Sequence, residues 1–192
     1  MALQERVENK RQMALPSSTD VHPLSRTLFG WGARCGRVLL QYWADALLFV
    51  LGLVVLTAVL IPVLSYLGLD VFAKPLFSAL HAMCAQIPSH SFYLFGHQLG
   101  LCQRNLAIYG SMFLGSLVFV ATKKRLPGIP WWLWLLLVLP MAWDGTTQLF
   151  GWRESTWALR VITGTLFGGG TVWFVLPLVH RLLSEGHAAW QR

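Results

Sequence analysis

Charged side chains are scarce in this sequence. Asp, Glu, Lys and Arg make up only 12% of its 192 residues, whereas hydrophobic residues make up 55%. That charged fraction is about half of what a soluble domain carries. A soluble protein of this length could not bury so much apolar surface, but a lipid bilayer can receive it. The scarcity of charge therefore excludes an ordinary soluble domain and indicates an integral membrane protein.

Several motifs of catalysis and cofactor binding are also missing. The sequence has no glycine-rich phosphate loop, no serine nucleophile elbow, no H-E-x-x-H and, among its three cysteines, no C-x-x-C. Residues 1–40 contain no apolar run of the kind that a secretory signal needs, so we expect no such signal. These absences leave the cofactors unknown and leave open whether the protein is an enzyme.

Four apolar segments predict four transmembrane helices. The clearest has 24 uncharged residues, from Ala46 to Leu69. Such a helix can cross about 30 Å of hydrocarbon at about 1.5 Å per residue. We therefore predict an all-α fold, an integral membrane four-helix bundle in the lipid bilayer. The predicted spans are residues 46–69, 106–122, 130–150 and 161–179, in a transmembrane domain at 41–182 between a tail and juxtamembrane segment at 1–40 and a tail at 183–192.

The basic residues follow this topology. The formal net charge is +7, yet the cations flank apolar segments and form no patch interleaved with aromatic residues, so we expect no nucleic-acid partner. Eleven Lys and Arg residues lie in the two tails and the 123–125 loop, and four lie in the loops on the other side. By the positive-inside rule, both termini are predicted to be cytoplasmic.

The first extracytoplasmic loop is predicted to contain a short amphipathic helix. Lys74-Pro75 is typical of a helix start, Pro88 of a helix end, and apolar residues between them recur at helical spacing. This helix would place His81 and Cys84 on one face.

The two cysteines of this loop admit several interpretations. Cys84 and Cys102 lie on the side of the membrane where oxidation is permitted, so a disulfide between them is the first hypothesis. The alternatives are a metal bound by His81, Cys84 and Cys102, a redox-active thiol pair, and two unrelated thiols. The spacing matches no zinc signature.

A second polar region spans the end of the third helix and the start of the fourth. Asp144 lies about 21 Å along the third span by helical rise, and Gln148 follows one turn later. Arg153 and Glu154 come in the turn, and Arg160 lies at the start of the fourth span. An intramembrane carboxylate costs several kcal/mol unless it is paired or hydrated. We expect a structural ion pair with Arg153 or Arg160; a substrate, proton or metal site and an unspecific aqueous cavity are the alternatives.

Two glycines of the fourth span are spaced for close helix packing. Gly164 and Gly168 lie four residues apart, which permits two backbones to approach. We expect them to pack against the third span within the chain, with a homodimer contact as the alternative.

Three motifs in fixed order complete the pattern. They are CAQIPSHSF at 84–92, CQRNLAIYG at 102–110, and DGTTQ at 144–148 followed by RES at 153–155. This order resembles a family of prokaryotic membrane proteins known only as "predicted membrane protein". The resemblance implies a prokaryotic cytoplasmic membrane, and it brings no activity with it.

The chain departs from that family at the second cysteine motif. Relatives usually carry a further cysteine where Asn105 stands, and Thr-Gly where Leu106-Ala107 stand. If relatives use that C-x-x-C for a metal or for thiol chemistry, this chain has lost one ligand. The departure therefore favours the disulfide over the metal and redox hypotheses.

Two functions remain open from the sequence. The first is an accessory or assembly subunit of a larger membrane complex, which the small size, the missing nucleophile and the abundant tryptophans favour. The second is an enzyme or transporter that binds a polar or anionic ligand through the second polar region, with these ligand-binding candidates: Asp144, Gln148, Arg153, Glu154 and Arg160.

Overall fold

The computed structural model describes the backbone of residues 23–190 and the side chains of residues 41–186. Residues 1–22 of the predicted N-terminal tail lie outside that range. The described elements, in chain order, are α1 (Pro23–Tyr66), α2 (Asp70–Leu80), a single 3₁₀ turn (Pro88–His90), β1 (Ser91–Leu94), β2 (His97–Cys102), α3 (Gln103–Ala121), α4 (Trp131–Leu149) and α5 (Trp157–Trp190).

Within residues 41–186, three helical segments are long and apolar enough to cross a membrane. They are Gln41–Tyr66 of α1, Gln103–Ala121, which is α3, and Trp157–Gly186 of α5. The remaining long helix, α4, is 19 residues long, like α3. Its last turns, however, carry polar side chains from Asp144 to Gln148. Its length matches the predicted third span, and its composition sets it apart from the other three.

Two apolar clusters show how the helices run. At one end, α1 meets α2 and β2; the buried members are Ala58, Ile61, Leu80, Cys84 and Leu101. At the other end, the middle of α1 meets the end of α3 and the middle of α5; the buried members are Ala44, Phe119, Val172 and Leu176. Helix α3 is therefore antiparallel to α1. It runs parallel to α5, because Arg104 near its start meets Gly164 and Phe119 near its end meets Leu176.

The loop after α1 differs in part from the prediction. Its helix exists, but α2 begins at Asp70 rather than Lys74 and ends at Leu80 rather than near Pro88. His81 is only the C-cap, and Cys84 lies beyond the helix, so these two side chains do not share a helical face.

The all-α prediction missed a β-hairpin. Strands β1 and β2 pair antiparallel, with Ser91 opposite Cys102 and Leu94 opposite His97. Both turn residues, Phe95 and Gly96, have positive φ, which is the type I′ conformation that matches strand twist. The hairpin leads directly into α3.

Gly164 and Gly168 face α3, not α4. A Cβ at Gly164 would lie 2.8 Å from the Arg104 carbonyl oxygen, and one at Gly168 would lie 2.4 Å from the Ile108 carbonyl oxygen. Only glycine permits this backbone approach. Intramolecular packing is thus observed, but the prediction named the wrong helix. Both glycines are buried, so they present no exposed surface to a second copy of the chain.

The opposite face of α5 receives α4. The rings of Trp134 and Phe174 stack with centroids 5.2 Å apart, and the Trp134 indole N–H donates to Thr171 Oγ1 at 3.4 Å. Leu137 fills the space over Gly170, where a Cβ would meet its side chain at 2.9 Å. Helix α5 therefore forms the centre of the α3–α5–α4 layer and aligns the polar ends of all three helices.

Candidate functional site

Asp144 is the centre of a buried ion cluster. Its side chain is only 1% exposed. Oδ2 accepts hydrogen bonds from Arg104 Nη2 at 2.5 Å and Ser155 Oγ at 2.9 Å, and Oδ1 accepts one from Arg153 Nη2 at 2.6 Å. These contacts join α3, α4 and the turn before α5 through one carboxylate. Two guanidinium groups and one hydroxyl occupy both of its oxygens.

Neighbouring amide and hydroxyl groups extend the cluster. Arg104 Nη2 also donates to Gln148 Oε1 at 3.0 Å, and Arg153 Nε donates to Thr147 Oγ1 at 3.3 Å. Gln148 lies one helical turn beyond Asp144, on the same face of α4, so Arg104 can bind both side chains. The arrangement orients both guanidinium groups, and the single carboxylate offsets one of their two charges.

The predicted partners of Asp144 are partly replaced. Arg153 does bind the carboxylate, with a side chain that is 43% exposed. Arg160, the other predicted partner, donates instead to Gln103 Oε1 at 3.1 Å. Its place is taken by Arg104, which lies 40 residues away in the chain. Glu154 is exposed and forms no ion pair with any residue from 41 to 186.

Arg160 forms a second, neighbouring polar group. It is 6% exposed, and its Nε is buried without a hydrogen-bond partner among the described residues. Gln103, which accepts from Arg160, donates in turn to the Ser91 carbonyl oxygen at 3.3 Å. The hairpin is thereby tied to the start of α5.

His90 lies within electrostatic reach of this group. Burial lowers the pKa of His90, and the positive charges of Arg160 and Arg104 lower it further, while the carboxylate of Glu154 acts in the opposite direction. The field at this end of the molecule is therefore positive despite the buried Asp144.

Cys84 and Cys102 lie in contact as free thiols. Cys84 Sγ accepts backbone N–H hydrogen bonds from Cys102 at 3.2 Å and Gln86 at 3.5 Å. A hydrogen bond from the Cys102 thiol, together with these N–H groups, lowers the pKa of Cys84 from 9.0 to about 5 against the opposing effect of burial. The same thiol–thiol contact raises the pKa of Cys102. The pair therefore shares one proton, with the negative charge on Cys84.

The lowered pKa of Cys84 should be visible in the pH dependence of its alkylation when both cysteines are reduced. Thiolate, not thiol, is the nucleophile, so modification of Cys84 by iodoacetamide in the folded protein should persist from pH 8 downward and fall only as the pH approaches about 5. In Cys102→Ala the thiol donor is lost, and the midpoint should move upward. Peptide mass spectrometry separates Cys84 from Cys35, the third cysteine of the chain; an unchanged midpoint in the variant would contradict the shared proton.

A buried glutamine organises the cysteine loop. Gln86 Nε2 donates to the carbonyl oxygens of Phe77 and Gly100, each at 2.8 Å, and its own carbonyl accepts from Gln98 Nε2 at 2.8 Å. The Nδ1 of His81 lies 3.1 Å from Gln86 Oε1 rather than at a cysteine. Within the part of the chain described, no group of three or more His, Cys, Asp and Glu side chains is placed to hold a metal.

Sequence reasoning thus missed four polar residues that hold the site together: Gln86, Gln103, Arg104 and Ser155. All four belong to the three quoted motifs, which was the available signal. Their hydrogen-bond partners lie in other elements, so spacing along the chain could not identify them.

Comparison with known proteins gives the chain its family. Residues 84–174 match the family described as "Predicted membrane protein (DUF2085)". An "uncharacterized protein" of Methanocaldococcus jannaschii is 36% identical over 139 residues, 68% of this chain and 88% of that protein. Another "uncharacterized protein", of Methanothermobacter thermautotrophicus, is 35% identical over 101 residues, 53% of this chain and 91% of that protein. No solved structure matches. The chain belongs to this family of predicted membrane proteins.

Proposed function

We propose that this membrane protein is a non-catalytic accessory or assembly subunit of a larger membrane complex. The observation that carries the proposal is that side chains of the fold itself already bind both oxygens of Asp144. Both of its oxygens accept hydrogen bonds from Arg104, Arg153 and Ser155. A general base or proton carrier needs a free oxygen within reach of the reacting proton, whereas this carboxylate binds elements of its own fold together.

The alternative is an enzyme or transporter that uses the same polar end. Asp144, Gln148 and Arg153 do lie together. Arg160, by contrast, is hydrogen-bonded to Gln103, and the side chain of Glu154 is exposed. A reaction at Asp144 would first have to break two charge-assisted hydrogen bonds at 2.5 and 2.6 Å. That cost makes the subunit proposal the better supported of the two.

Purification from the native membrane tests the subunit proposal. The chain, tagged at its C-terminus and expressed from its own promoter, is extracted in mild detergent and sized. We expect one larger membrane complex at fixed stoichiometry. An unrelated polytopic protein with the same tag is the control. A monodisperse chain without partners, or partners shared with the control, would contradict the proposal.

We further propose four spans with both termini in the cytoplasm. Helix α3 is antiparallel to α1 and parallel to α5, so the starts of α3 and α5 lie at the same end. Helix α4 is antiparallel to α5, because Trp134 meets Phe174 and Leu137 meets Gly170. Because α4 matches α3 in length, its polar last turns can lie at the membrane surface beside the start of α5. The excess of cations at the opposite end supports the cytoplasmic assignment.

Labelling in sealed cells checks this topology. Single cysteines at Ser89 and Ser184, introduced into a chain whose own cysteines are serine, are exposed to a membrane-impermeant maleimide. Ser89, in the exposed turn before β1, should be labelled from outside, and Ser184, in the last part of α5, only after lysis. The reverse pattern would invert the topology, and labelling of both from outside would exclude four spans.

We also propose that Cys84 and Cys102 form a disulfide in the exported loop, with their two protons and two electrons passing to a disulfide-exchange oxidant on that side of the membrane. The Cys84 sulfur lies 3.2 Å from the Cys102 backbone nitrogen, so little movement separates the thiols from a bond. Protein trapped with N-ethylmaleimide in denaturant, without reductant, should carry a label at Cys35 alone. Reduction should add two labels. Three labels without reduction would contradict the proposal.

A further inference from the structure

Arg160 is buried without a compensating charge. Its side chain is 6% exposed, it forms no ion pair with any described residue, and its recorded hydrogen bond goes to the neutral amide of Gln103. The Nε hydrogen has no acceptor among the described residues. Removing a guanidinium from water costs several kcal/mol unless a partner replaces the water.

The neighbouring charges do not supply that partner. Three arginines lie in this region, but it has one buried carboxylate, Asp144, which Arg104 and Arg153 already bind. The Nε of Arg104 is also buried without an acceptor. Glu154, the other carboxylate of this region, is exposed. The region therefore holds an excess of positive charge around unoccupied donors.

We propose that the group formed by Arg160 and Gln103 binds the phosphate group of an anionic ligand. A guanidinium presents several N–H donors in one plane and matches an oxyanion with two or more acceptor oxygens. Arg160 lies in the first turn of α5, at an end of a membrane-length helix, where lipid phosphates are found. The ligand is a phospholipid headgroup or a soluble phosphate. This inference does not depend on the subunit proposal.

Binding to purified protein tests the inference. In detergent, thermal unfolding is followed during titration with inorganic phosphate, with phosphatidylglycerol, and with a glycolipid that lacks phosphate. Both phosphate-containing probes, or one of them, should raise the Tm of the wild type, and the glycolipid should not. In Arg160→Gln the apparent affinity should fall about tenfold or more, since a charge-assisted hydrogen bond contributes about 1.5–3 kcal/mol.

Two features distinguish ligand binding from a structural role. Without phosphate, Arg160→Gln should be at least as stable as the wild type, because it removes an uncompensated buried charge; an equal loss of Tm with and without phosphate would contradict the inference. Arg181→Gln is the matched control on the same helix, an exposed arginine paired with Glu185, and it should respond as the wild type does.

The response also identifies the source of the phosphate. A shift with inorganic phosphate indicates a soluble ligand, and a shift with phosphatidylglycerol alone indicates a headgroup. Equal responses of the wild type and Arg160→Gln to both probes, or no response of the wild type to either, would overturn the inference. None of these readouts depends on copurification, so this proposal and the subunit proposal can fail separately.

Discussion

Asp144→Asn is expected to destabilise the protein by about 3–5 kcal/mol. The substitution removes the negative charge from a 1% exposed side chain and leaves Arg104 and Arg153 facing a neutral amide. Breaking a buried ion pair on one side costs this much because the remaining charge stays desolvated. Most of the loss should come from Arg104, whose side chain is 19% exposed, and less from the more exposed Arg153.

Unfolding in detergent micelles measures this loss. Glu185→Gln is the matched control, because Glu185 pairs with Arg181 between side chains that are both more than half exposed, and such pairs contribute less than about 1 kcal/mol. A loss for Asp144→Asn no greater than that of the control would show that the carboxylate does not hold the helices together.

Gly168→Ala is expected to destabilise the protein by about 2–3 kcal/mol, within the range of overpacked cores. The new Cβ would lie 2.3 Å from Ser111 Oγ and 2.4 Å from the Ile108 carbonyl oxygen. The hydroxyl can rotate away, but the carbonyl belongs to the backbone of α3, so the two helices must separate.

Gly169→Ala is the matched control for this substitution. A Cβ at Gly169 meets nothing within 4 Å, so the variant should be as stable as the wild type or gain up to about 1 kcal/mol from helix propensity. Equal stability of the two variants, with a change in oligomeric state for Gly168→Ala alone, would instead place Gly168 in a contact between copies.

The helices were predictable from the sequence because their signals are local. The run of Trp and Leu after Pro130 predicts a helix at 130–150, and α4 is observed at Trp131–Leu149. The hairpin was not predictable in the same way. Its turn uses Phe95-Gly96 in place of the usual Asn-Gly, and β1 has only four residues.

The sequence predicted which residues belong to the polar site better than it predicted which of them pair with each other. Asp144 requires a partner by its depth alone, and Arg153 lies close to it in sequence. Arg104 reaches the same carboxylate only because Gly164 and Gly168 bring α3 against α5. That packing depends on tertiary structure, which one sequence does not reveal, and Arg160 was assigned to Asp144 for want of that information.

A double-mutant cycle between Asp144 and Arg104 tests the closed ion cluster most directly. Unfolding free energies are measured for the wild type, Asp144→Asn, Arg104→Gln and the double variant. If the 2.5 Å contact holds α3 to α4, the double variant should be more stable than the sum of the single losses implies, by about 1.5 kcal/mol or more. Losses that add to within about 0.5 kcal/mol would show that the two residues act independently, and the account of a structural cluster would be wrong.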